Sequence, residues 1–317
     1  MVSTFGILFP VFALILAGFA CRRFGVLGPT AASELNKFVV WLALPALLFD
    51  VMAHSTWQQL DQSTFIATFS IACLAVFVPV LLVQLARGRH LADASVDAIA
   101  AAYPNTGYIG FPLGMLTFGA ASQTPTTIAT ILVACVLFAL AIVLMETGLQ
   151  TERAPHRLGV KVLVSLAKNP LIVAPLAGVA VSAAGVVLPA SGETFLKLLG
   201  GAASPCALVS LGLFLAESRP SGTAGRANRT ALALVGLKLV IQPALTWWLA
   251  VRVFALATPL ADIAVLLAAL PTGTGPFMLA EFYRREAAVT SRTILLSTLG
   301  SLVTLSMLLA WTHAHGA

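Results

Sequence analysis

Two short stretches of the sequence place polar side chains among prolines and glycines inside otherwise apolar segments. The first is residues 103–112, YPNTGYIGFP, and the second is residues 270–277, LPTGTGPF. Their polar side chains are those of Asn105, Thr106, Tyr108, Thr272 and Thr274. An asparagine amide both donates and accepts hydrogen bonds, so Asn105 could bind a carboxylate without a buried fixed positive charge.

Both stretches are predicted to break the helices that contain them. Proline removes a backbone donor and clashes with the preceding turn, and glycine disfavours a helix interior. The predicted breaking residues are Pro104, Gly110, Pro112, Pro271, Gly275 and Pro276. The N-terminus of a half-helix presents unpaired N–H groups and a positive dipole end, which suit an anion. The predicted substrate-binding residues are Asn105, Thr106, Gly107, Tyr108, Thr272, Gly273 and Thr274. The alternative is that these residues only cap half-helices, which leaves unexplained why both halves break at the same place.

The composition places these stretches in a membrane. Of 317 residues, 59% are hydrophobic and 9% charged, and the mean hydropathy is +0.97. Soluble domains carry about 25% charged residues, so we predict a polytopic membrane protein. The net charge of +6 is explained by basic cytoplasmic loops rather than by nucleic-acid binding. The absence of a P-loop sequence excludes ATP-driven pumping by this chain alone.

The apolar segments predict an all-α fold with ten membrane spans, because about 20 apolar residues cross a bilayer. The predicted spans are approximately 4–21, 35–53, 64–85, 96–118, 126–147, 168–185, 194–216, 230–254, 260–282 and 292–311. Residues 151–167 form the predicted cytoplasmic linker between a first five-helix repeat, 1–150, and a second, 168–317. Spans 4 and 9 are the broken ones.

The spacing of prolines and glycines indicates an internal repeat. Four residues of the first half recur at an offset of 160 positions: Pro10, Gly18, Pro29 and Pro45 correspond to Pro170, Gly178, Pro189 and Pro205. The two break prolines, Pro104 and Pro271, follow at 167. An odd number of spans in each half forces the second copy to insert upside down, as in many secondary transporters.

The distribution of basic residues predicts the orientation. With the N-terminus outside, the inner loops hold 14 of the 18 basic residues: Arg22, Arg23, Arg87, Arg89, Arg153, Arg157, Lys161, Lys168, Arg219, Arg226, Arg229, Arg284, Arg285 and Arg292. The outer loops hold Lys197 and Arg252. This asymmetry predicts that both termini face outward, into the bacterial periplasm.

Charged residues within the spans are few, and intramembrane charge is a functional hypothesis by default. Glu281 follows the second break closely, and we expect it either to assist ion coupling or gating or to be solvated at the interface. Asp50 and Glu146 are expected to be solvated, and Lys238 to snorkel to the cytoplasmic face. The four cysteines stand alone, without metal-ligand spacing, so we predict no metal centre and no cofactor.

Both stretches resemble the crossover motifs of the auxin efflux carrier family, which includes plant auxin exporters and bacterial malonate-type carriers. The first motif is residues 104–112, the second is residues 269–277 with 281–283, and the resemblance covers essentially the whole chain. It implies a fold like that of sodium/proton antiporters and bile-acid transporters. Spans 1, 2, 6 and 7 would form a scaffold, and spans 3–5 and 8–10 a mobile transport domain. It also implies that Asn105 contacts the substrate carboxylate. Thr272 stands where plant carriers have an amide, which argues against assuming auxin as substrate.

Together, these observations predict a secondary carrier of small organic anions in the bacterial inner membrane, working by elevator-like alternating access. Its substrate would be a malonate-like dicarboxylate or an auxin-like monocarboxylate, and transport would be driven by H⁺, by Na⁺ or by the membrane potential alone. A homodimer through the scaffold spans is a further expectation by analogy. The alternatives are an intramembrane enzyme, which would need a paired-carboxylate, Ser/His or metal constellation, and a membrane sensor subunit, which would need a signalling domain. The sequence shows neither feature.

Overall fold

The computed structural model of the chain describes residues 4–56, 61–149, 164, 167–168, 170–217, 224–285 and 288–315. Its regular elements are all helical, and six described stretches are long and apolar enough to cross a membrane. They are Ala31–Ala53, Ser63–Ala86, Thr106–Leu149, Ala190–Ala216, Asn228–Val253 and Ala288–Thr312. This confirms an all-helical, multi-pass membrane protein. The ten spans and their inverted order stay predictions, and most of the predicted linker, 151–167, lies outside the described residues.

Sixteen α-helices are labelled here in chain order within the described residues. The first eight are α1 (Thr4–Arg23), α2 (Ala31–Phe38), α3 (Leu44–Ala53), α4 (Ser63–Ala86), α5 (Leu91–Ala102), α6 (Phe111–Phe118), α7 (Gln123–Ile131) and α8 (Phe138–Leu149). The others are α9 (Pro170–Ala183), α10 (Ala190–Gly201), α11 (Ala203–Glu217), α12 (Ala224–Gly236), α13 (Gln242–Trp248), α14 (Thr258–Ala269), α15 (Gly275–Phe282) and α16 (Ala288–His315).

Several of these helices are joined by wider π-helical turns, which are rare and often occur at functional sites. One, Thr106–Gly110, follows the first predicted break directly, and another, Leu237–Ile241, joins α12 to α13. Between α6 and α7 the chain forms a 3₁₀ turn that begins at Gly119, whose φ of 66° is in the left-handed region. Glycine adopts this conformation without the steric cost that other residues bear.

The chain divides into two compact units. The first contains the described residues of Met1–Ser63, Gly107–Ile131 and Ala167–Arg219, and so holds α1–α3, α6, α7 and α9–α11. Its buried core forms where apolar side chains at intervals of four or five residues along residues 39–48 lie on one face and pack against two alanines of α11. The buried cluster consists of Val39, Ala43, Leu44, Leu48, Tyr108, Phe111, Ala203 and Ala207.

Two glycines of the first unit allow pairs of helices to approach at backbone distance. A Cβ added to Gly18 on α1 would lie 2.1 Å from the carbonyl oxygen of Val209 on α11. A Cβ added to Gly178 on α9 would lie 2.5 Å from the carbonyl oxygen of Phe49 on α3. The glycines are 160 positions apart, from 18 to 178, and so are their partners, from 49 to 209. The same helix contact therefore occurs twice, at the offset that the proline spacing indicates.

The second unit contains the described residues of Thr64–Thr106, Leu132–Leu166 and Pro220–Ala317, and so holds α4, α5, α8 and α12–α16. Alanine-rich α5 is buried on nearly every side, from Ala94 to Ala102, and α14 is buried from Ile263 to Ala269. Helices that are buried on all sides belong in an interior. The polar Ser95 and Asp97 on α5 are buried with hydrogen-bond partners, the Leu91 carbonyl oxygen and Gln84 Nε2. Both have 12 residues, and both their ends are 167 positions apart, from 91 to 258 and from 102 to 269.

Candidate functional site

The two interior helices, α5 and α14, end for the same local reason. A residue before proline is sterically driven out of the α region. Tyr103, which precedes Pro104, has φ −99° and ψ 90°, and Leu270, which precedes Pro271, has φ −59° and ψ 148°. Each helix therefore stops at the alanine before, Ala102 or Ala269, in the middle of an apolar segment.

Main-chain hydrogen bonds hold the two broken segments side by side within the second unit. The Asn105 N–H donates to the Pro271 carbonyl oxygen at 2.9 Å, and the Gly273 N–H donates to the Tyr103 carbonyl oxygen at 3.0 Å. Pro104 and Thr272 form the antiparallel bridge between these bonds. Backbone groups at membrane depth need partners from the protein itself, and here each break supplies the other.

Thr272 is buried and fastens the second break to its surroundings. Its hydroxyl donates to the Ala100 carbonyl oxygen at 2.9 Å, and its own N–H donates to the Ser297 hydroxyl oxygen at 3.1 Å. Because this hydroxyl hydrogen is used within the protein, Thr272 has only acceptor capacity left for a ligand. Its predicted contact with substrate stays a prediction.

Lys238 and Gln242 bind the ends of both broken helices from one helical face. Lys238 Nζ donates to the Ala268 carbonyl oxygen at 2.6 Å, near the end of α14. Gln242 Nε2 donates to the Ala102 carbonyl oxygen at 3.2 Å, at the end of α5, and contacts Cys73 Sγ at 3.4 Å. A cation and an amide donor suit the negative end of a helix dipole.

The prediction that Lys238 snorkels to the membrane surface is therefore wrong. The side chain is fully buried, with 0% of its surface exposed, and it points to the interior end of α14. The physical reason is that the last carbonyl groups of a helix lack partners within it. The Ala268 carbonyl therefore offers Lys238 a hydrogen-bond acceptor inside the unit, and the side chain does not need to reach the membrane surface.

The aromatic ring of Tyr103 explains the glycines of the second break. A Cβ on Gly273 would lie 2.9 Å from Tyr103 Cε1, and one on Gly275 would lie 2.8 Å from Tyr103 Cζ. The same ring packs edge-to-face with Phe138, with centroids 6.2 Å apart. Neither position therefore tolerates a side chain while the ring keeps this place.

The predicted binding residues are placed in two groups. Asn105 and Thr106 are buried in the second unit, with 4% and 2% of their surfaces exposed, beside Thr272, Gly273 and the half-buried Thr274. The partly buried Gly107 and buried Tyr108 belong to the first unit, where the Tyr108 hydroxyl donates to Asn36 Oδ1.

The other predicted residues lie in the helical segments that follow the breaks. Gly110 closes the π-helical turn, Pro112 is in the first turn of α6, and Pro276 is in the first turn of α15, where proline is tolerated. Glu281 belongs to α15, but the structure describes only its backbone and not its side chain. Glu146 was expected to be solvated, and it accepts a hydrogen bond from the Tyr283 hydroxyl at 2.9 Å.

An ion pair in the second unit joins the start of α5 to the chain just after α15, at the ends of these two segments that are remote from the breaks. Arg285, just after α15, donates twice to Asp93 in the first turn of α5, at 2.8 Å and 2.5 Å. Partial burial alone would raise the pKa of Asp93, but the hydrogen bonds and charge of Arg285 outweigh it and hold that pKa below its ordinary value. The pair therefore stabilises the unit while Asp93 is ionised.

Asp93→Asn should lower the melting temperature at neutral pH, by an amount that corresponds to about 1 kcal/mol. A carboxyl whose folded pKa is depressed stabilises the fold above its unfolded pKa, about 3.9. That contribution is lost as the pH falls through the lower, folded pKa. The gap in melting temperature between wild type and variant should therefore narrow below about pH 4, measured by thermal denaturation in detergent.

The matched control for this pair is Glu34→Gln. Glu34 pairs with Lys37 at 2.9 Å, but the two side chains are 62% and 61% exposed. An exposed pair contributes little to stability, so this variant should have the same melting temperature as the wild type at every pH. A gap for Asp93→Asn that stays constant from pH 7 to pH 3 would contradict the assignment.

Paired breaks in interior helices, inside a multi-pass helical protein, are typical of membrane transporters. Residues 3–309 match the family described as membrane transport protein. The chain therefore belongs to this family, the auxin efflux carrier family.

Three relatives show how widely the family is spread. A Rhizobium meliloti (strain 1021) protein, provisionally named a malonate transporter, is 31% identical, over 98% of this chain and 96% of its own. The Escherichia coli (strain K12) protein named uncharacterized transporter YfdV is 25% identical over 94% of both chains. Auxin efflux carrier component 8 of Arabidopsis thaliana is 22% identical over 93% of both chains.

Proposed function

We propose that the protein is a secondary carrier of small carboxylate anions, either malonate-like dicarboxylates or auxin-like monocarboxylates. The observation that carries this proposal is the buried Asn105 amide beside two helix breaks that are joined by their own main chains. The names of the Rhizobium meliloti and Arabidopsis thaliana relatives, both of which specify carboxylic acids, support the same substrate class.

The electrostatics of the second unit favour an anion at the breaks. The helical segment that starts at Gly275 presents the positive end of its dipole there. The negative ends of α5 and α14 are covered by Gln242 and Lys238, which donate to their terminal carbonyls. A carboxylate can therefore accept hydrogen bonds at the breaks without meeting exposed helix C-termini.

The division of the chain supports elevator-like alternating access. The first unit contains the helices of predicted spans 1, 2, 6 and 7, and the second contains those of spans 3, 8, 9 and 10. Gly107–Ile131, from spans 4 and 5, groups with the first unit. One boundary therefore falls between Thr106 and Gly107, in the first residues of the π-helical turn that follows the first break, where a change of backbone angles would move one unit.

The proposed orientation places both termini in the periplasm and residues 151–167 in the cytoplasm. The basic asymmetry of the sequence predicts this. A cysteine introduced as Ala154→Cys, in a background without the four native cysteines, should react with a membrane-impermeant maleimide only after the cells are opened. Reaction in intact cells would reverse the topology.

Exchange by the purified protein in liposomes tests the function. Vesicles loaded with unlabelled malonate should accumulate external radiolabelled malonate, whereas empty vesicles and malonate-loaded, protein-free vesicles should not. An indole carboxylate, tested the same way, covers the monocarboxylate alternative. Failure of both exchanges in correctly folded protein would reject the proposed substrate class. In the same assay, Glu281→Gln should change the pH or ion dependence if that residue assists coupling.

A further inference from the structure

A groove of about 540 Å³ lies between α4 and α12 in the second unit, apart from the helix breaks. Each helix contributes residues at the same spacing along one face, from Pro79 to Arg87 on one side and from Arg229 to Leu237 on the other. The volume is within the range of small-molecule sites, about 300–1,000 Å³.

The groove has a basic rim and apolar walls. Arg87 directly follows the last residue of α4, and Arg229 is at the start of the apolar stretch Asn228–Val253. Further along, Gln242 contacts Cys73, which precedes Pro79 on α4, so the two sides of the groove run antiparallel. Both arginines therefore stand at the same end of the groove. The walls below them include Val80, Val83 and Leu234.

The rim lies at the surface of the bilayer. The stretch Ser63–Ala86 has 24 residues and crosses a membrane from end to end, so Arg87 stands where the apolar core gives way to headgroups. The walls then descend among the acyl chains. Val83 is 47% exposed, which leaves the groove open toward lipid.

The two guanidinium groups have no acidic counterpart in the groove. Among the described residues, neither Arg87 nor Arg229 makes a side-chain hydrogen bond or ion pair, and both are exposed. The nearby carboxylate of Asp97 is bound by Gln84 at 2.8 Å and lies 3.6 Å from Arg89. The rim is therefore a site of unbalanced positive charge.

The geometry points to a bound anionic phospholipid: its phosphate between Arg87 and Arg229, and the start of an acyl chain along Val80, Val83 and Leu234. Guanidinium groups bind phosphate oxygens in a bidentate fashion, and basic pockets between membrane helices on the cytoplasmic side take anionic headgroups. A small soluble anion would use the rim but leave the apolar walls unfilled. With the proposed orientation, the rim faces the cytoplasmic leaflet.

The test is native mass spectrometry of the purified, delipidated protein, titrated with phosphatidylglycerol or with phosphatidylcholine of the same acyl chains. Wild type should bind phosphatidylglycerol in preference. The double variant Arg87→Gln, Arg229→Gln should bind it at least about tenfold more weakly, as expected for lost charge-assisted hydrogen bonds. Arg23→Gln, an exposed arginine at the end of α1, is the matched control and should bind as wild type does.

A second variant separates a seated lipid from simple charge attraction. Ala233→Trp fills the groove between the same helices and keeps both arginines, and it should also weaken phosphatidylglycerol binding. Unchanged binding in either the double variant or Ala233→Trp would overturn the proposal. So would displacement of the lipid by millimolar phosphate or malonate, which would identify a site for soluble anions instead.

Discussion

Asn105→Ala should weaken substrate binding about ten- to hundredfold and leave the protein folded. The expected size follows from the loss of one hydrogen bond to a charged group, roughly 1.5–3 kcal/mol, at about 1.4 kcal/mol per tenfold change in affinity. Folding should persist, because the break is made by Pro104 and by main-chain hydrogen bonds. The Asn105 side-chain amide takes no part in those bonds. Isothermal titration of malonate into the purified variant measures the effect.

Asn105→Asp should impair binding further, since it would place a negative charge beside the carboxylate of the proposed substrate. Asn228→Ala is a suitable control, because Asn228 carries an exposed side-chain amide in the second turn of α12, and its loss should not affect affinity. The competing role for Asn105 is a cap on the helical segment from Thr106, which alanine would destabilise by about 1 kcal/mol. A variant that loses stability but keeps its affinity would assign Asn105 to the cap alone.

Gly212→Ala should destabilise the first unit strongly, although it adds only one methyl group. A Cβ at Gly212 on α11 would lie 1.9 Å from the Ile15 carbonyl oxygen and 2.8 Å from the Phe19 nitrogen, both on α1. Overpacking typically costs about 1–3 kcal/mol. The cost should reach or exceed the top of that range here, because both obstacles are backbone atoms and the helices themselves must separate.

The expected loss of stability in Gly212→Ala is opposite in sign to the usual effect of this substitution in a helix. Glycine to alanine in an unobstructed helix is stabilising by about 0.5–1 kcal/mol. Gly236, where α12 continues into a π-helical turn, has nothing within 4 Å of an added Cβ, so Gly236→Ala should raise or preserve the melting temperature. Thermal denaturation of both variants gives the comparison. A Gly212→Ala protein with the same melting temperature as the wild type would contradict the close contact of α1 and α11.

What the sequence could predict was local. The ends of α5 and α14 follow from the residues before Pro104 and Pro271, so the two breaks could be located from steric rules alone. The packing role of Gly18 and Gly178 could be marked as a repeat but not matched to partners, because Val209 and Phe49 are distant in the chain.

What it could not predict depends on tertiary contacts. Lys238 near an apolar helix end suggested the membrane surface, yet its acceptor is the carbonyl of Ala268, 30 residues further along the chain. Tyr103 lies inside the first stretch, residues 103–112, but its position in the sequence does not show that its ring lies against Gly273 and Gly275. The only hint was that an aromatic residue and a pair of glycines occupy the two breaks.

The pairing of the breaks through main-chain atoms also bears on how such carriers diverge. The bonds from Asn105 to Pro271 and from Gly273 to Tyr103 use N–H and carbonyl groups that nearly every residue type possesses. Descendants of one ancestral gene could therefore exchange the side chains at 105, 106 and 274 while inheriting the same framework. Under the proposed function, selectivity would then change by single substitutions that leave this main-chain framework in place.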